Sequence, residues 1–437
     1  MRALVSVFGV VALAGSIAFG ACVDPRSDPA SPSIGVRAPG DAAPATDAAP
    51  PVGDAGARGA IHHVLGTGQS LAVGALGAPP LSTSQPFANL MFSGGVLATA
   101  SGLGDLVPLV EGTGSGVETM SSAFANFVSA LSRQGDAGLP HDSMVSVHGV
   151  GGAPYRALAK GTQPYALGMQ QVAAGRRLAI ERGLAYDVTG VTNAHGANDH
   201  LERNARYAED VIQWQRDYET DVKAITGQST PVPMFHTQYS SYTIYDTTSA
   251  IPIAQLRAHV DAPGKVILVG PRYPLLYGPD GVHLTNQGYR LMGEYYAKAY
   301  RRVVVEHGTW EPLRPKAITR SGAVITVTMH VPVPPLVIDT TRATDPGNYG
   351  FEFADDGPGT PTIASVALAG PDTVTITLTA VPTAPNPRIR YAYTGVQGAA
   401  GGLRTGPRGN LRDSDTTPSR YGFELFDWCV HFDEPAP

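Results

Sequence analysis

The chain has 437 residues, a formal net charge of −6 and a hydrophobic fraction of 43%. This length allows two domains, and the apolar fraction is sufficient for a packed soluble fold. The weakly acidic charge excludes a broad basic surface of the kind that binds nucleic acid.

The N-terminal segment has the pattern of an export signal. Arg2 precedes an almost uninterrupted apolar run that ends in small residues directly before Cys22. Small residues before a cysteine are typical of a bacterial lipobox, which favours a lipoprotein signal over residues 1–22 with lipidation at Cys22. The alternatives are a signal peptide cut near Ala21 or an uncleaved anchor. No other stretch reaches the ~18 apolar residues of a membrane span.

Residues 23–60 are rich in Pro, Ala, Asp and Gly and have no hydrophobic periodicity. Such a segment cannot bury enough apolar surface to order itself, so we expect a flexible linker. The chain has two cysteines. If Cys22 carries lipid, Cys429 has no partner, and no disulfide is predicted.

From residue 61 onward, strand-like apolar runs alternate with helical periodicity. Strands are predicted at residues 61–65, 144–147, 186–192, 232–235 and 265–269. The clearest helix covers residues 203–226, with Gly227 as its C-terminal stop. Its apolar stripe consists of Tyr207, Val211, Trp214, Tyr218 and Val222. This alternation predicts a parallel sheet with helices on both faces, over residues 61–310. Thr285 is the predicted N-cap of the last helix.

Three short motifs follow strand-like runs in this region: Gly-Gln-Ser at residues 68–70, Gly-Ala-Asn-Asp at 196–199 and Asp-Gly-Val-His at 280–283. A serine hydroxyl is a weak nucleophile until an imidazole takes its proton, and a nearby carboxylate fixes the tautomer of that imidazole. We therefore predict Ser70 as nucleophile, His283 as base and Asp280 as its orienter. His148 and His195 are competing bases, although their places beside motif glycines favour pocket lining or satisfied strand-end positions.

An acyl-transfer site also needs donors aimed at the developing oxyanion. The predicted donors are the backbone N–H groups of Ser70 and Gly152 and the side-chain amide of Asn198. Gly149 and Gly151 are alternatives, since any glycine lets the backbone approach the reacting carbonyl closely. Substrate contacts are predicted for Gln69, Leu71 and His195. The adjacent His62 and His63 have no third ligand at metal-site spacing, so neither a metal nor another cofactor is predicted.

The ordered motifs and the Gly-Gly turn at residues 151–152 resemble the SGNH (GDSL-like) hydrolases over residues 60–305. Within them, the Gly-Gln-Ser variant resembles the sialate O-acetylesterases and acetylxylan-esterase-like carbohydrate esterases. The resemblance implies an SGNH-type, flavodoxin-like fold and a Ser-His-Asp acyl-enzyme mechanism. It also implies an O-acetylated carbohydrate of the sialate or xylan type as substrate.

After residue 312 the pattern changes to alternating runs, such as residues 323–329 and 373–378, separated by Pro and Gly clusters. This predicts an antiparallel β-sandwich over residues 313–437. Tyr391, Tyr393 and Trp428 are candidate sugar contacts, although aromatic residues in sandwiches more often belong to the core. Residues 409–413 resemble part of the C-terminal domain of sialate O-acetylesterases, which suggests that they reach over the active-site mouth.

The leading hypothesis is a serine esterase that removes O-acetyl groups from carbohydrate. One alternative is a broader SGNH lipase or carboxylesterase, with an acyl pocket formed by Leu71 and residues 103–110. Another is an inactive, glycan-binding surface lipoprotein, against which the complete set of candidate catalytic residues argues. The expected partner is an acetylated carbohydrate or another small ester, with no nucleic acid. Membrane contact is expected only through the lipid anchor, which predicts an envelope lipoprotein or, alternatively, a secreted protein.

Overall fold

The computed structural model describes residues 59–134 and 140–437. The predicted signal of residues 1–22, Cys22 and all of the predicted linker except Gly59 and Ala60 lie outside the described residues. Among the helices of the described ranges, none is both long enough and apolar enough to cross a membrane.

The first region is an α/β structure built on a seven-stranded sheet. Its strands are β1 (Ala60–Gly68), β2 (Leu90–Phe92), β3 (Leu106–Pro108), β4 (Ser143–Val147), β5 (Ala185–Ala194), β6 (Met234–Gln238) and β7 (Val266–Pro271). Its helices are α1 (Ser121–Ser132), α2 (Gln163–Glu181), α3 (Ala197–Leu201), α4 (Tyr207–Thr226), α5 (Ile251–Asp261) and α6 (Asn286–Tyr300). The strand order is β3-β2-β4-β1-β5-β6-β7, and every pairing is parallel except that of β2 with β3.

The central strands are buried on both faces, as a parallel sheet covered by helices requires. All five residues of β4 and of β6 are buried. Each of the five predicted strands corresponds to an observed one, so the predicted parallel sheet is confirmed. The short strands β2 and β3 were not predicted, because three residues are too few to show an alternating pattern.

Helix α4 shows how its sequence pattern sets its packing. All five residues of the predicted apolar stripe are fully buried. Gly227 ends the helix with a left-handed φ of 76°. The helix begins at Tyr207, later than predicted, because Arg203 adopts a φ of 54° that interrupts helical geometry.

The second region is antiparallel throughout. Its strands are β8 (Arg314–Ser321), β9 (Val324–His330), β10 (Val337–Ile338), β11 (Phe351–Ala354), β12 (Ile363–Leu368), β13 (Thr373–Leu378), β14 (Arg388–Tyr391), β15 (Leu411–Arg412) and β16 (Phe432–Pro435). They form sheets of order β12-β13-β9-β8, β11-β14-β16 and β10-β15. Alternate residues of β13 are buried, as the sequence pattern predicted.

Residues 59–134 and 140–437 belong to one compact unit, in which the two regions are joined by buried polar contacts. Lys298 of α6 donates to Asp427, 2.9 Å away, and its Nζ lies 2.6 Å from Asp415. The Tyr242 hydroxyl donates to the backbone carbonyls of Ala392 and Tyr393. Breaking a buried ion pair leaves an uncompensated charge, so this interface resists separation.

The prediction for residues 409–413 is wrong. Asn410, Leu411 and Asp413 are fully buried. Leu411 pairs with Ile338 in the two-stranded sheet, and the Asn410 amide donates to the carbonyls of Asp339 and Ala343. These contacts make residues 409–413 part of the interior of the second region, not a cover over the site.

Candidate active site

Three adjacent parallel strands deliver three of the predicted motifs to one edge of the sheet. β1 lies between β4 and β5, and Ser70, the glycine turn at residues 149–152 and Asn198 follow the ends of these strands. The turns approach each other closely at Gly68, where φ is 122° and an added Cβ would stand 2.5 Å from the carbonyl oxygen of Ala194. A side chain at this position would separate the Ser70 turn from the Asn198 turn.

Gln69 connects the nucleophile turn to the Asn198 turn. Its Oε1 accepts hydrogen bonds of 2.9 Å from the backbone N–H groups of both Gly196 and Ala197. Because those groups can only donate, they fix which end of the Gln69 amide is oxygen. The Nε2 atom therefore faces Asn198 and donates to its Oδ1 at 2.7 Å. This bond in turn directs the Asn198 Nδ2 donor away from Gln69.

Among the residues that the structure describes, the three predicted oxyanion donors have no protein acceptor. Within residues 59–134 and 140–437, no hydrogen bond uses Ser70 N–H, Gly152 N–H or Asn198 Nδ2. Gly152 is exposed with a φ of 72°, and Asn198 is half-buried. A carbonyl oxygen that develops negative charge would need donors in this unused state.

The Asp280–His283 pair has the geometry of an oriented base. His283 Nδ1 lies 2.5 Å from Asp280 Oδ2, and the Asp280 Oδ1 accepts from the backbone N–H groups of Val282 and His283. Partial desolvation alone would raise the pKa of Asp280, but hydrogen bonds from the His283 ring and from these N–H groups lower it overall. Asp280 is thus kept ionised, and it favours the tautomer with a proton on Nδ1 and a free Nε2.

The start of helix α6 anchors this pair beside the Ser70 turn. Thr285 caps the helix by accepting from Gly288 N–H at 3.1 Å, as predicted. The Tyr289 hydroxyl then donates to the Ala75 carbonyl at 2.6 Å, and Asn286 Nδ2 donates to the Pro79 carbonyl at 2.9 Å. These bonds attach the end of the Asp280–His283 loop to the chain that follows Ser70.

Ser70 Oγ and His283 Nε2 have no hydrogen-bond partner among the described residues. The structure therefore does not join these two atoms by a hydrogen bond. Catalytic hydrogen bonds are often long without substrate and shorten in the bound complex. Both groups are accessible in part, since Ser70 is half-buried and the His283 side chain is 25% exposed.

A segment of the second region, residues 395–402, packs against the Asp280–His283 loop. Gly401 N–H donates to the Gly281 carbonyl at 2.9 Å. An added Cβ on Gly281 would stand 2.5 Å from the Ala400 side chain, and one on Gly401 would stand 2.6 Å from the Tyr277 ring. The second region therefore supports the Asp280–His283 loop through residues 395–402.

The predicted substrate contacts of Gln69, Leu71 and His195 disagree with the burial of these residues. Gln69 is 3% exposed, Leu71 5% and His195 1%. The amide of Gln69 is used inside the protein, and Leu71 belongs to the hydrophobic core. The His195 ring nitrogens lie 2.7 Å from the Tyr207 hydroxyl and 3.1 Å from the Ala153 carbonyl. These residues support the site instead of contacting the substrate.

His148, the other competing base, is also structural. Burial lowers its pKa to about 4. Its ring nitrogens contact the Gln171 side chain and the Tyr218 hydroxyl, at 3.1 and 2.7 Å. A side chain enclosed in this way cannot reach the Ser70 hydroxyl.

Two supporting residues were missed by sequence reasoning. The carbonyl of His195, directly before the Asn198 motif, accepts from Arg272 Nη2 at 2.6 Å and from Gln255 Nε2 at 3.2 Å. Arg272 is 2% exposed and also donates to Thr237 Oγ1. No local signal identifies either residue, because they lie 77 and 60 positions from the carbonyl that they hold.

The fold is similar to that of solved structures. A carbohydrate acetylesterase from Xanthomonas citri superposes with a TM-score of 0.52 at 16% sequence identity, over 85% of this chain and 80% of that chain. The chain shares the fold of this esterase. The similarity, over 85% of this chain, fits an α/β region followed by a β-rich region.

Shorter matches include a protein from Arabidopsis thaliana, with 14% identity and a TM-score of 0.39 over 55% of this chain and 98% of that chain. An aryl esterase from M. smegmatis matches with 14% identity and a TM-score of 0.32 over 55% and 98% of the two chains. No protein-family model and no curated protein sequence matches the chain.

Proposed function

We propose that the protein is a serine esterase that removes O-acetyl groups from carbohydrate. The main support is the hydrogen-bonded connection from Gln69 to Asn198, which leaves the Asn198 amide donor, like the N–H groups of Ser70 and Gly152, without an acceptor among the described residues. An inactive glycan-binding scaffold has no need for this arrangement together with an oriented imidazole. The fold shared with a carbohydrate acetylesterase is the second support.

In the proposed first half-reaction, Ser70 Oγ attacks the ester carbonyl carbon while His283 Nε2 takes the hydroxyl proton. The carbonyl oxygen becomes an oxyanion that accepts from Ser70 N–H, Gly152 N–H and Asn198 Nδ2. Collapse of this intermediate breaks the bond to the sugar oxygen, which leaves with the proton held by His283. Asp280 stays ionised and stabilises the imidazolium.

In the second half-reaction, water replaces the alcohol. His283 accepts a proton from water as this water attacks the acetyl-serine carbonyl carbon. The second oxyanion that forms accepts hydrogen bonds from the same three donors. Collapse releases acetate and returns the proton to Ser70. Every proton transfer uses one imidazole, so the chain's own residues are sufficient for this sequence.

We propose an acetylated glycan of the xylan or sialate type as substrate. The broader lipase or carboxylesterase alternative has less support, because its suggested acyl pocket is filled. Leu71, Leu103 and Leu109 are at most 8% exposed and contribute to hydrophobic packing. Long acyl chains would therefore lack the apolar surface that the alternative requires.

The decisive experiment compares wild-type protein with Ser70→Ala on acetylated xylo-oligosaccharides, on O-acetylated sialic acid and on p-nitrophenyl esters of increasing chain length. We expect acetate release by the wild type and a loss of about 10³-fold or more in kcat for the variant, with unchanged thermal stability. Full activity of purified Ser70→Ala would disprove the mechanism. Preference for long acyl chains would support the lipase alternative.

We also propose that the protein is exported and anchored through lipid on Cys22. The support is the apolar run before this cysteine and the Pro- and Ala-rich segment after it, which suits a tether. Buried acyl chains contribute ~0.8 kcal/mol per CH₂, so a multiply acylated cysteine holds firmly to a membrane. Cell fractionation should place the wild type in the membrane and Cys22→Ser in the soluble fraction with equal kcat. Wild-type protein in the soluble fraction would indicate plain secretion.

A further inference from the structure

A polar cavity of about 370 Å³ adjoins the candidate active site. Its lining includes Asp199, His200 and Arg203 from the chain after the Asn198 motif, Asp246 from the chain after β6, and Tyr393 from the second region. We propose that this cavity is the subsite for a neutral pyranose ring of the glycan that carries the ester. The inference rests on the proposed esterase function and specifies its substrate class.

His200 supplies the first evidence of a ligand. The side chain is 7% exposed, and its buried Nε2 has no hydrogen-bond partner within residues 59–134 and 140–437. This atom stands 3.7 Å from Asp246 Oδ2, which is beyond hydrogen-bond distance. The buried Nε2 atom is therefore not satisfied by Asp246, and a third polar group that contacts both side chains would supply the missing partner. A sugar hydroxyl can do so, because it both donates and accepts.

Tyr393 is the aromatic residue that offers a face to a sugar ring in this cavity. The rings of Tyr239, Tyr242 and Tyr245, with centroids 5.8 to 6.5 Å from that of His200, do not line the cavity and instead hold the imidazole in place. Tyr393, half-buried, lines the cavity, and the guanidinium of Arg390 lies 4.5 Å from its ring centroid. Aromatic side chains of this kind combine an apolar face with a polar edge, which matches the C–H faces and hydroxyl edges of a pyranose.

The charges of the lining favour a neutral ligand. Asp246 is 51% exposed at its side chain, and Arg203 is exposed on the same cavity. The lining carries two carboxylates, Asp199 and Asp246, against the one guanidinium of Arg203, so the carboxylate of an anionic sugar would meet an excess of negative charge. Hydroxyl groups satisfy both, since they donate to the carboxylate and accept from the guanidinium. This favours a xylan-type substrate over a sialate-type substrate.

The cavity lies next to segments that belong to both sides of the candidate active site. Asp199 directly follows the oxyanion donor Asn198. Asp246, another lining residue, comes two positions after Ile244. The Ile244 Cδ1 atom would stand 3.1 Å from a Cβ added to Gly281. The cavity is therefore bounded by chain segments next to the oxyanion turn and the Asp280–His283 loop.

The kinetic test uses Tyr393→Ala and Asp246→Asn, with Glu209→Gln as a matched control. Glu209 is an exposed carboxylate of α4 that does not line the cavity. We expect kcat/KM on acetylated xylobiose to fall about tenfold or more in the two cavity variants, with turnover of p-nitrophenyl acetate unchanged. The control should match wild type on both substrates. Equal losses on both substrates, or no loss on acetylated xylobiose, would overturn the subsite.

A binding test separates this inference from the proposed catalysis. Calorimetric titration of the Ser70→Ala protein with xylobiose needs no turnover. We expect binding that weakens about tenfold in Ser70→Ala/Tyr393→Ala, and weaker binding of N-acetylneuraminic acid to the parent protein. Absence of xylobiose binding, binding insensitive to Tyr393→Ala, or tighter binding of the anionic sugar would overturn the inference. If the wild type hydrolysed no ester, the proposed function would fail while this titration still decided the cavity.

Discussion

The two sides of the candidate active site are built differently. The Asn198 turn is held from within the α/β region by buried hydrogen bonds from Gln69, Gln255 and Arg272. The Asp280–His283 loop is more exposed and is supported from outside by residues 395–402 of the second region. The oxyanion donors thus depend on amide orientation, whereas the base depends on packing between the two regions. Substitutions on the two sides should therefore lower activity for different reasons.

The largest effect is expected from Gln69→Glu, which tests the amide orientation alone. A carboxylate at this position still accepts from Gly196 and Ala197, but it cannot donate to Asn198 Oδ1. Asn198 would rotate to donate its Nδ2 to the carboxylate, which removes one oxyanion donor. We expect kcat to fall about 10²–10³-fold with little change in KM.

Steady-state kinetics with p-nitrophenyl acetate measures this effect, and thermal melting checks the fold. Gln69→Ala is the matched comparison. It leaves two backbone N–H groups unpaired and should lose stability as well as activity. Wild-type kcat in Gln69→Glu would show that Asn198 does not depend on Gln69.

A smaller effect is expected on the base side from Gly401→Ala. The new Cβ would stand 2.6 Å from the Tyr277 ring, so the ring or the loop must move. A displacement of the Asp280–His283 pair should lower kcat about tenfold. The control is Gly359→Ala, where an added Cβ meets nothing within 4 Å. Equal activity of both variants would mean that residues 395–402 do not position the base.

The third prediction separates the effects of burial and of hydrogen bonding on the stability that two histidines give to the α/β region. Burial is the main cause that lowers the pKa of both His195 and His236 to about 3. His195 has partners on both ring nitrogens, whereas within the described residues His236 has none on either. The unfolded chain binds a proton near pH 6.5, so it takes up more protons than the folded protein below that pH. Stability therefore falls as the pH decreases from about 6.5 towards 3.

His236→Leu should remove part of this acid sensitivity. We expect unchanged or higher stability at pH 7.5, and a loss on acidification to pH 5 that is smaller by about 2 kcal/mol than in wild type. His195→Leu should instead be destabilised at both pH values, because it breaks two hydrogen bonds beneath the Asn198 turn. Urea unfolding at the two pH values measures both. An unchanged pH dependence in His236→Leu would contradict the neutral state of this histidine.

Sequence reasoning located the elements whose signal is local. The apolar stripe of α4, the Thr285 cap and the strand runs before residues 68, 149 and 196 each show their pattern within a few residues. The roles of Gln69 and Arg272 could not be found in this way, because they arise from hydrogen bonds that join distant segments. Burial of Leu71 and His195 likewise depends on which elements cover them.

In the second region, too, sequence reasoning found some elements and missed others. Alternation predicted β9 and β13, but residues 409–413 and residues 395–402 show no such pattern, and nothing local distinguishes the buried segment from the one at the Asp280–His283 loop. Their difference lies in tertiary contacts, such as the pairing of Leu411 with Ile338.

The contact between Gly401 and Gly281 bears on how such proteins can be recombined. Exchange of the whole second region between two proteins of this fold would replace residues 395–402 by a segment from the other protein. That segment would have to fit the Asp280–His283 loop, where there is no room for a Cβ at Gly281. A functional chimera should therefore inherit residues 242–247 and 277–283 from the same parent as its C-terminal half. A single crossover near residue 312, where the secondary structure changes, would separate these two loops from the C-terminal half that they contact. Crossover points should therefore be chosen so that both loops stay with that half.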